Sequence, residues 1–127
     1  MYQNFIPLLF DGFSFEGTVL TDFRYIGDSL HLTLSFNSVS DTIKLSFEWI
    51  NSFRLTDEGD LLKMLFEQNG KMITGFYRVE NSSYLEWFNA QSAGVHTDKN
   101  IIHYLIVTVN DVVDFLSSQK PLVTFCQ

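Results

Sequence analysis

Two runs of strict alternation constrain this chain more than anything else in it. Leu30, Leu32, Leu34 and Phe36 alternate with His31, Thr33 and Ser35; Ile43, Leu45, Phe47 and Trp49 alternate with Lys44, Ser46 and Glu48. Successive side chains of a strand point to opposite faces, so each run is a half-buried strand with one wet face, the pattern of an antiparallel sheet. Asn37-Ser38-Val39-Ser40-Asp41 between them reads as a polar hairpin loop. A preceding strand near Thr18–Ile26 ends at the turn signal Gly27-Asp28, which makes a three-strand meander.

Two helices are predicted to interrupt the strands. The first, over 57–68, takes Thr56 as N-cap. It places Asp57, Glu58 and Asp60 in the first turn, where the helix dipole favours negative charge, and Leu61, Leu62, Leu65 and Phe66 on one stripe. Asn69-Gly70 stops it, or instead closes a type I′ hairpin between strands 62–68 and 71–78. The second helix, over 83–92, starts at Ser83-Tyr84-Leu85-Glu86, which fits the S-x-x-E capping box. Tyr84, Leu85 and Phe88 share one face with Trp87 beside them, so Trp87 and Phe88 are expected to pack against the sheet; Gly94 is the stop.

Residues 101–109 are apolar on both faces and read as the central strand. Residues 112–116 and 122–125 read as closing strands, the former also as one turn of helix, and Pro121 limits where the last can begin. No repeat or linker interrupts the chain. The expectation is an α+β fold in a single domain over 1–127, a predominantly antiparallel sheet with two helices.

The composition is rich in rings and acids and poor in reactive groups: 13 Phe, 5 Tyr and 2 Trp, one Cys, three His, and a net charge of −7. Residues 1–60 hold nine acids and three bases, a net of −6, so the acidic character belongs to the first half. Such a field repels phosphates and anionic membranes, and direct binding of nucleic acid or membrane is disfavoured. It speeds encounter with a basic protein, although solubility alone also accounts for it. No apolar run approaches the roughly 18 residues of a membrane span. The first residues lack the features of a signal peptide, and Cys126 has no partner, so a cytoplasmic location is expected.

Candidate chemistry is sparse. His96 and His103 flank Asp98, but the spacing matches no zinc pattern and no Cys joins them, so no metal and no cofactor is expected. There is no G-x-S-x-G elbow, and Gly12-x-x-x-x-Gly17 lacks the Lys-Ser/Thr of a phosphate loop. The adjacent acids Asp57, Glu58 and Asp60 fit a solvated first turn better than a carboxylate pair. Phe10-Asp11-Gly12-Phe13-Ser14-Phe15-Glu16-Gly17 is unusual. As a loop it offers aromatic anchors ringed by acid; as an edge strand it buries Phe13 and Phe15.

Asn81-Ser82-Ser83-Tyr84-Leu85-Glu86-Trp87-Phe88, Gln91-Ser92-Ala93-Gly94, His103-Tyr104-Leu105-Ile106 and Thr108-Val109-Asn110-Asp111-Val112-Val113-Asp114, then Pro121, follow Phe53-Arg54-Leu55-Thr56-Asp57-Glu58-Gly59-Asp60-Leu61-Leu62. Over roughly 50–125 this resembles small bacterial proteins encoded beside polymorphic toxins, the immunity proteins of contact-dependent growth inhibition. The resemblance implies a non-enzyme that binds a cognate basic toxin domain, in many such systems a nuclease, and occludes its active site. The pool from which contacts are expected is Asp11, Phe13, Glu16, Asp57, Glu58 and Asp60, with no catalytic residue. The alternatives are a small hydrolase using His103 or His96 with an acidic partner, and a generic protein-interaction domain.

Overall fold

The computed structural model describes residues 3–9, 14–36, 41–61 and 74–126. Its strands are β1 (Asn4–Pro7), β2 (Thr18–Ile26), β3 (Ser29–Phe36), β4 (Thr42–Phe47), β5 (Ile50–Asp57), β6 (Gly75–Glu80), β7 (Ile102–Val107), β8 (Asp111–Ser117) and β9 (Leu122–Cys126). One α-helix, α1 (Ser83–Gln91), lies between β6 and β7. The strands form two sheets, β1-β6-β7-β8-β5 and β2-β3-β4-β9, antiparallel at every pairing.

The alternation of the first half does what its spacing requires. Leu30, Leu32 and Leu34 of β3 and Ile43, Leu45 and Phe47 of β4 turn one face of the four-stranded sheet inward. They meet Phe76 of β6, Tyr104 and Ile106 of β7, and Val113 and Phe115 of β8. Phe47 crosses between the sheets, its ring 4.1 Å from that of Phe115 and 6.3 Å from that of Phe76. The other face of the five-stranded sheet carries α1, where Tyr84, Leu85 and Phe88 pack with Ile101 and Leu116. The five-stranded sheet is therefore the middle layer, which is why β7 and β8 are apolar in both directions.

The meander β2-β3-β4, the central position of β7, the strand nature of β8 and β9, and α1 follow the sequence expectations. The start of the first predicted helix does not. Thr56 and Asp57 are the last residues of β5, opposite Val112 and Asp111, and Glu58–Asp60 is a single 3-10 turn. The ladder to β8 holds the chain extended past Thr56. Asp57 Oδ1 then accepts the Gly59 N–H at 2.8 Å, a local turn that competes with helix. The rest of that prediction, residues 62–68, and the Asn69-Gly70 hairpin alternative lie outside the described residues.

The start of α1 is also shifted. Its N-cap is Ser82, in extended conformation, whose Oγ accepts the Leu85 N–H at 2.9 Å; Ser83 is already helical and has Gln3 as partner. Asn81 at φ 57° reverses the chain one residue earlier than the capping box implies. Ser82 is the serine whose hydroxyl also meets a buried imidazole. Trp87 does not pack against the sheet: it is 54% exposed and stacks on Tyr84, while Tyr84 is the buried anchor and Phe88 is half-buried. Gly94 does end the helix, at φ 74° with its N–H on Asn89 O.

Candidate functional site

The site grows from the parity of β7 and β8. His103 pairs with Leu116 and Leu105 with Asp114, so His103 and Asp114 are diagonal neighbours on the helix-facing side of the sheet. On β5, Arg54 lies directly opposite Asp114 and shares that face with Ser52. Where β6 ends, Asn81 turns the chain and Ser82 opens α1 above the same spot.

Four side chains form one hydrogen-bonded line. Ser82 Oγ is 2.6 Å from His103 Nδ1, and His103 Nε2 is 2.6 Å from Asp114 Oδ1. The Nε of Arg54 donates to Asp114 Oδ2 at 2.8 Å. Ser82 Oγ already accepts from Leu85 N–H, so its own proton is free to go to Nδ1; a neutral imidazole carrying its proton on Nε2 then satisfies every partner. His103 and Asp114 are 2% and 1% exposed. Burial by itself would raise the Asp114 carboxyl, but hydrogen bonds from His103 and Arg54, with the charge of Arg54, outweigh it and hold it below the ordinary carboxylate value.

Tyr84 roofs the line. Its ring stands edge-on to His103 at 5.3 Å, and the Arg54 guanidinium lies over it, 4.2 Å from its centre. Its hydroxyl hydrogen-bonds Ser52. Burial pushes that hydroxyl up, with the Ser52 bond and the charge of Arg54 opposing. Beside this roof is a cleft of about 340 Å³ lined by Ser52, Phe53, Arg54, Ser83, Tyr84 and Trp87.

Beyond the cleft, exposed apolar side chains flank edge strand β5. Phe53, opposite Phe115 and so turned to the other side of β5 from Ser52 and Arg54, touches Tyr25, with ring centres 4.9 Å apart, while Trp87 lines the cleft with Tyr84 on the α1 side. Ile26 precedes the β2–β3 turn, and Asp28 O of that turn accepts the Ile50 N–H, which brings Trp49 alongside. Tyr25, Ile26, Trp49, Leu55 and Trp87 are each more than two-fifths exposed. Asp28, Glu48 and Glu86 are exposed around them, while Arg24 and Arg54 are paired within the chain, to Asp22 and Asp114.

The residues expected from sequence are placed as follows. Glu16, Asp57 and Asp60 are exposed, and Glu58 belongs to the 3-10 turn. Thr18 O accepts the Val109 N–H and Asp57 faces Asp111, so Glu16 and the end of β5 gather around the β7–β8 turn. Asp11 and Phe13 lie outside the described residues. Phe15 is buried against Phe76 and belongs to the core, outside any strand. His96 stacks on Phe88, its Nδ1 buried without a hydrogen bond among the described residues, and does not join His103. No group of three metal-ligating side chains occurs among the described residues, and no helix among them is long and apolar enough to cross a membrane.

Ser82, Asp114, Arg54 and Trp87 were not singled out as site residues from the sequence. The one available signal was the polar pair His103 and Asp114 inside strands otherwise apolar on both faces. No protein-family model matches the chain, and no curated protein or solved structure is detectably similar to it.

Proposed function

We propose that this chain is an inhibitory binding protein of the immunity type, which neutralises a basic toxin domain, such as a nuclease, by covering its active site. The observation that carries the reading is the set of exposed aromatics flanking edge strand β5, Trp87 of α1 on one side and Phe53 with Tyr25 on the other, with acids toward the two ends of the strand. Asp28 and Glu48 lie toward the start of β5, and Asp57 and Asp60 toward its end. Buried aromatic anchors inside a charged rim are the anatomy of a high-affinity protein interface. Because the two arginines of this surface are neutralised by their own aspartates, its remaining charge is negative. That favours a basic partner and works against a second copy of this acidic chain.

Glu16, Asp57, Glu58 and Asp60 serve in this reading as steering acids, with Asp11 and Phe13 in the same pool. Occlusion needs no cofactor or metal. The test is to co-express the chain with the product of the adjacent upstream gene. A stable complex and restored growth of cells making that product support the reading. Growth arrest that this chain does not relieve, with no complex on purification, overturns it.

A further inference from the structure

We propose that Ser82 is an activated nucleophile and that the chain carries a serine-hydrolase activity toward esters with an apolar body. The geometry rests on four observations made from different parts of the molecule. The Ser82 hydroxyl, the His103 ring and the Asp114 carboxylate are joined in series at 2.6 Å per step, the order in which a base removes a serine proton and a carboxylate fixes the base. Arg54 holds the second carboxylate oxygen, so Asp114 cannot turn away from the imidazole. Ser82 sits on a sharp strand-to-helix turn behind Asn81 at φ 57°, the placement that lifts a nucleophile clear of a sheet. Finally, the amide of Ser83, the residue after the nucleophile, already donates to a carbonyl oxygen, Gln3 Oε1, at 3.1 Å. A substrate carbonyl that displaces Gln3 Oε1 would meet the same donor at the positive end of α1.

The ring nitrogens are used in a particular order. Nδ1 faces the serine and Nε2 faces the aspartate. Either nitrogen can act as the base, because the tautomer is fixed by the bond the other one makes. Ser82 Oγ has two lone pairs. One accepts the Leu85 N–H, which leaves the other for attack. Ser82 is half-buried, and the next two residues, Ser83 and Tyr84, line the cleft. The walls supplied by Phe53, Tyr84 and Trp87 define the apolar body of the substrate.

In the first step Ser82 Oγ bonds to the ester carbonyl carbon while its proton moves to His103 Nδ1. The adduct collapses, the carbon–oxygen bond to the alcohol breaks, and the alcohol leaves with that proton. A water then gives a proton to Nδ1 as its oxygen attacks the acyl-serine. The acid departs, and Ser82 recovers its hydroxyl proton from His103. Asp114 stays ionised throughout, as its depressed carboxyl value allows.

The test uses the full chain without any partner, so its outcome is separable from that of the binding proposal. The protein is incubated with a fluorophosphonate probe, and the modified peptide is located by mass spectrometry. Turnover of 4-nitrophenyl butyrate is followed in parallel. The expected result is one adduct on Ser82, lost in Ser82→Asn, which keeps a capping side chain but has no nucleophile. His103→Gln, checked for folding by its thermal transition, should react at least ~100-fold more slowly. A folded wild-type chain that gains no adduct, or gains it on another residue, overturns the proposal whether or not either variant folds.

Discussion

The two faces of the five-stranded sheet are built from the same strands and solve opposite problems. Toward the four-stranded sheet, β7 and β8 present Tyr104, Ile106, Val113 and Phe115, and the layer is apolar, filled by ring contacts such as Phe47 on Phe115. Toward α1, the intervening residues include His103 and Asp114, equally buried but polar, and every polar atom of that pair has a partner. The first face gains from area removed from water and tolerates volume-conserving exchange. The second gains little net free energy from its bonds, but losing one member strands the others. The all-apolar face therefore holds the larger ring core, and the mixed face, where Leu105, Val112 and Leu116 are as buried as His103 and Asp114, also fixes where α1, Tyr84 and Arg54 stand.

The largest expected effect lies on the apolar face. Phe115→Ala removes a fully buried ring from the centre of the sandwich and should cost ~3–5 kcal/mol by denaturant titration. A loss below about 1 kcal/mol would show that the sheets do not meet there.

Asp114→Ala should follow, at ~3 kcal/mol, because it leaves His103 buried without its acceptor. The half-exposed Arg54 can turn to water, which keeps the figure at the lower end. If Asp114→Ala cost no more than a surface substitution, the polar face would be packing alone.

That same carboxylate gives a pH dependence with a definite sign. A carboxyl depressed in the folded state contributes stability above its unfolded value, and the contribution is lost as pH falls through the folded one. The stability difference between the wild type and Asp114→Ala should thus be constant near neutrality and shrink below about pH 4. A difference that grows on acidification would contradict the assignment.

The smallest effect separates two adjacent serines. Ser82→Ala removes the cap and the partner of His103 and should cost ~1–2 kcal/mol, whereas Ser83→Ala, whose hydroxyl meets Gln3 alone among the described residues, should stay within about 0.5 kcal/mol. The reverse order would restore the capping box read from Ser83 and Glu86.

Much of the fold was legible because alternation is a local signal. The period-two runs in β3 and β4 and the two-sided apolar run of β7 each declare their own burial. What the alternation does not contain is which sheet a strand joins, so the split into two sheets and the pairing of β5 with β8 were not foreseen. That pairing is also what overrode the acidic helix start at Thr56, since a ladder partner outweighs a weak propensity. The candidate site was mostly illegible for the same reason. Arg54 and Asp114 lie 60 positions apart, and Ser82 and His103 lie 21 apart. Only strand register brings them to one face. The capping serine was misplaced by one residue because Glu86 pointed to Ser83, while the imidazole that favours Ser82 is invisible locally.

The most direct test of the binding account is a titration of the adjacent gene product against three forms of the chain at two salt concentrations. Wild-type affinity should fall as salt rises. Trp87→Ala should weaken binding by about 2 kcal/mol, roughly 30-fold, mainly through faster dissociation. Asp57→Lys should instead slow association and flatten the salt dependence. Binding that Trp87→Ala leaves unchanged, or that does not respond to salt in any form, would contradict an aromatic anchor set in an acidic rim.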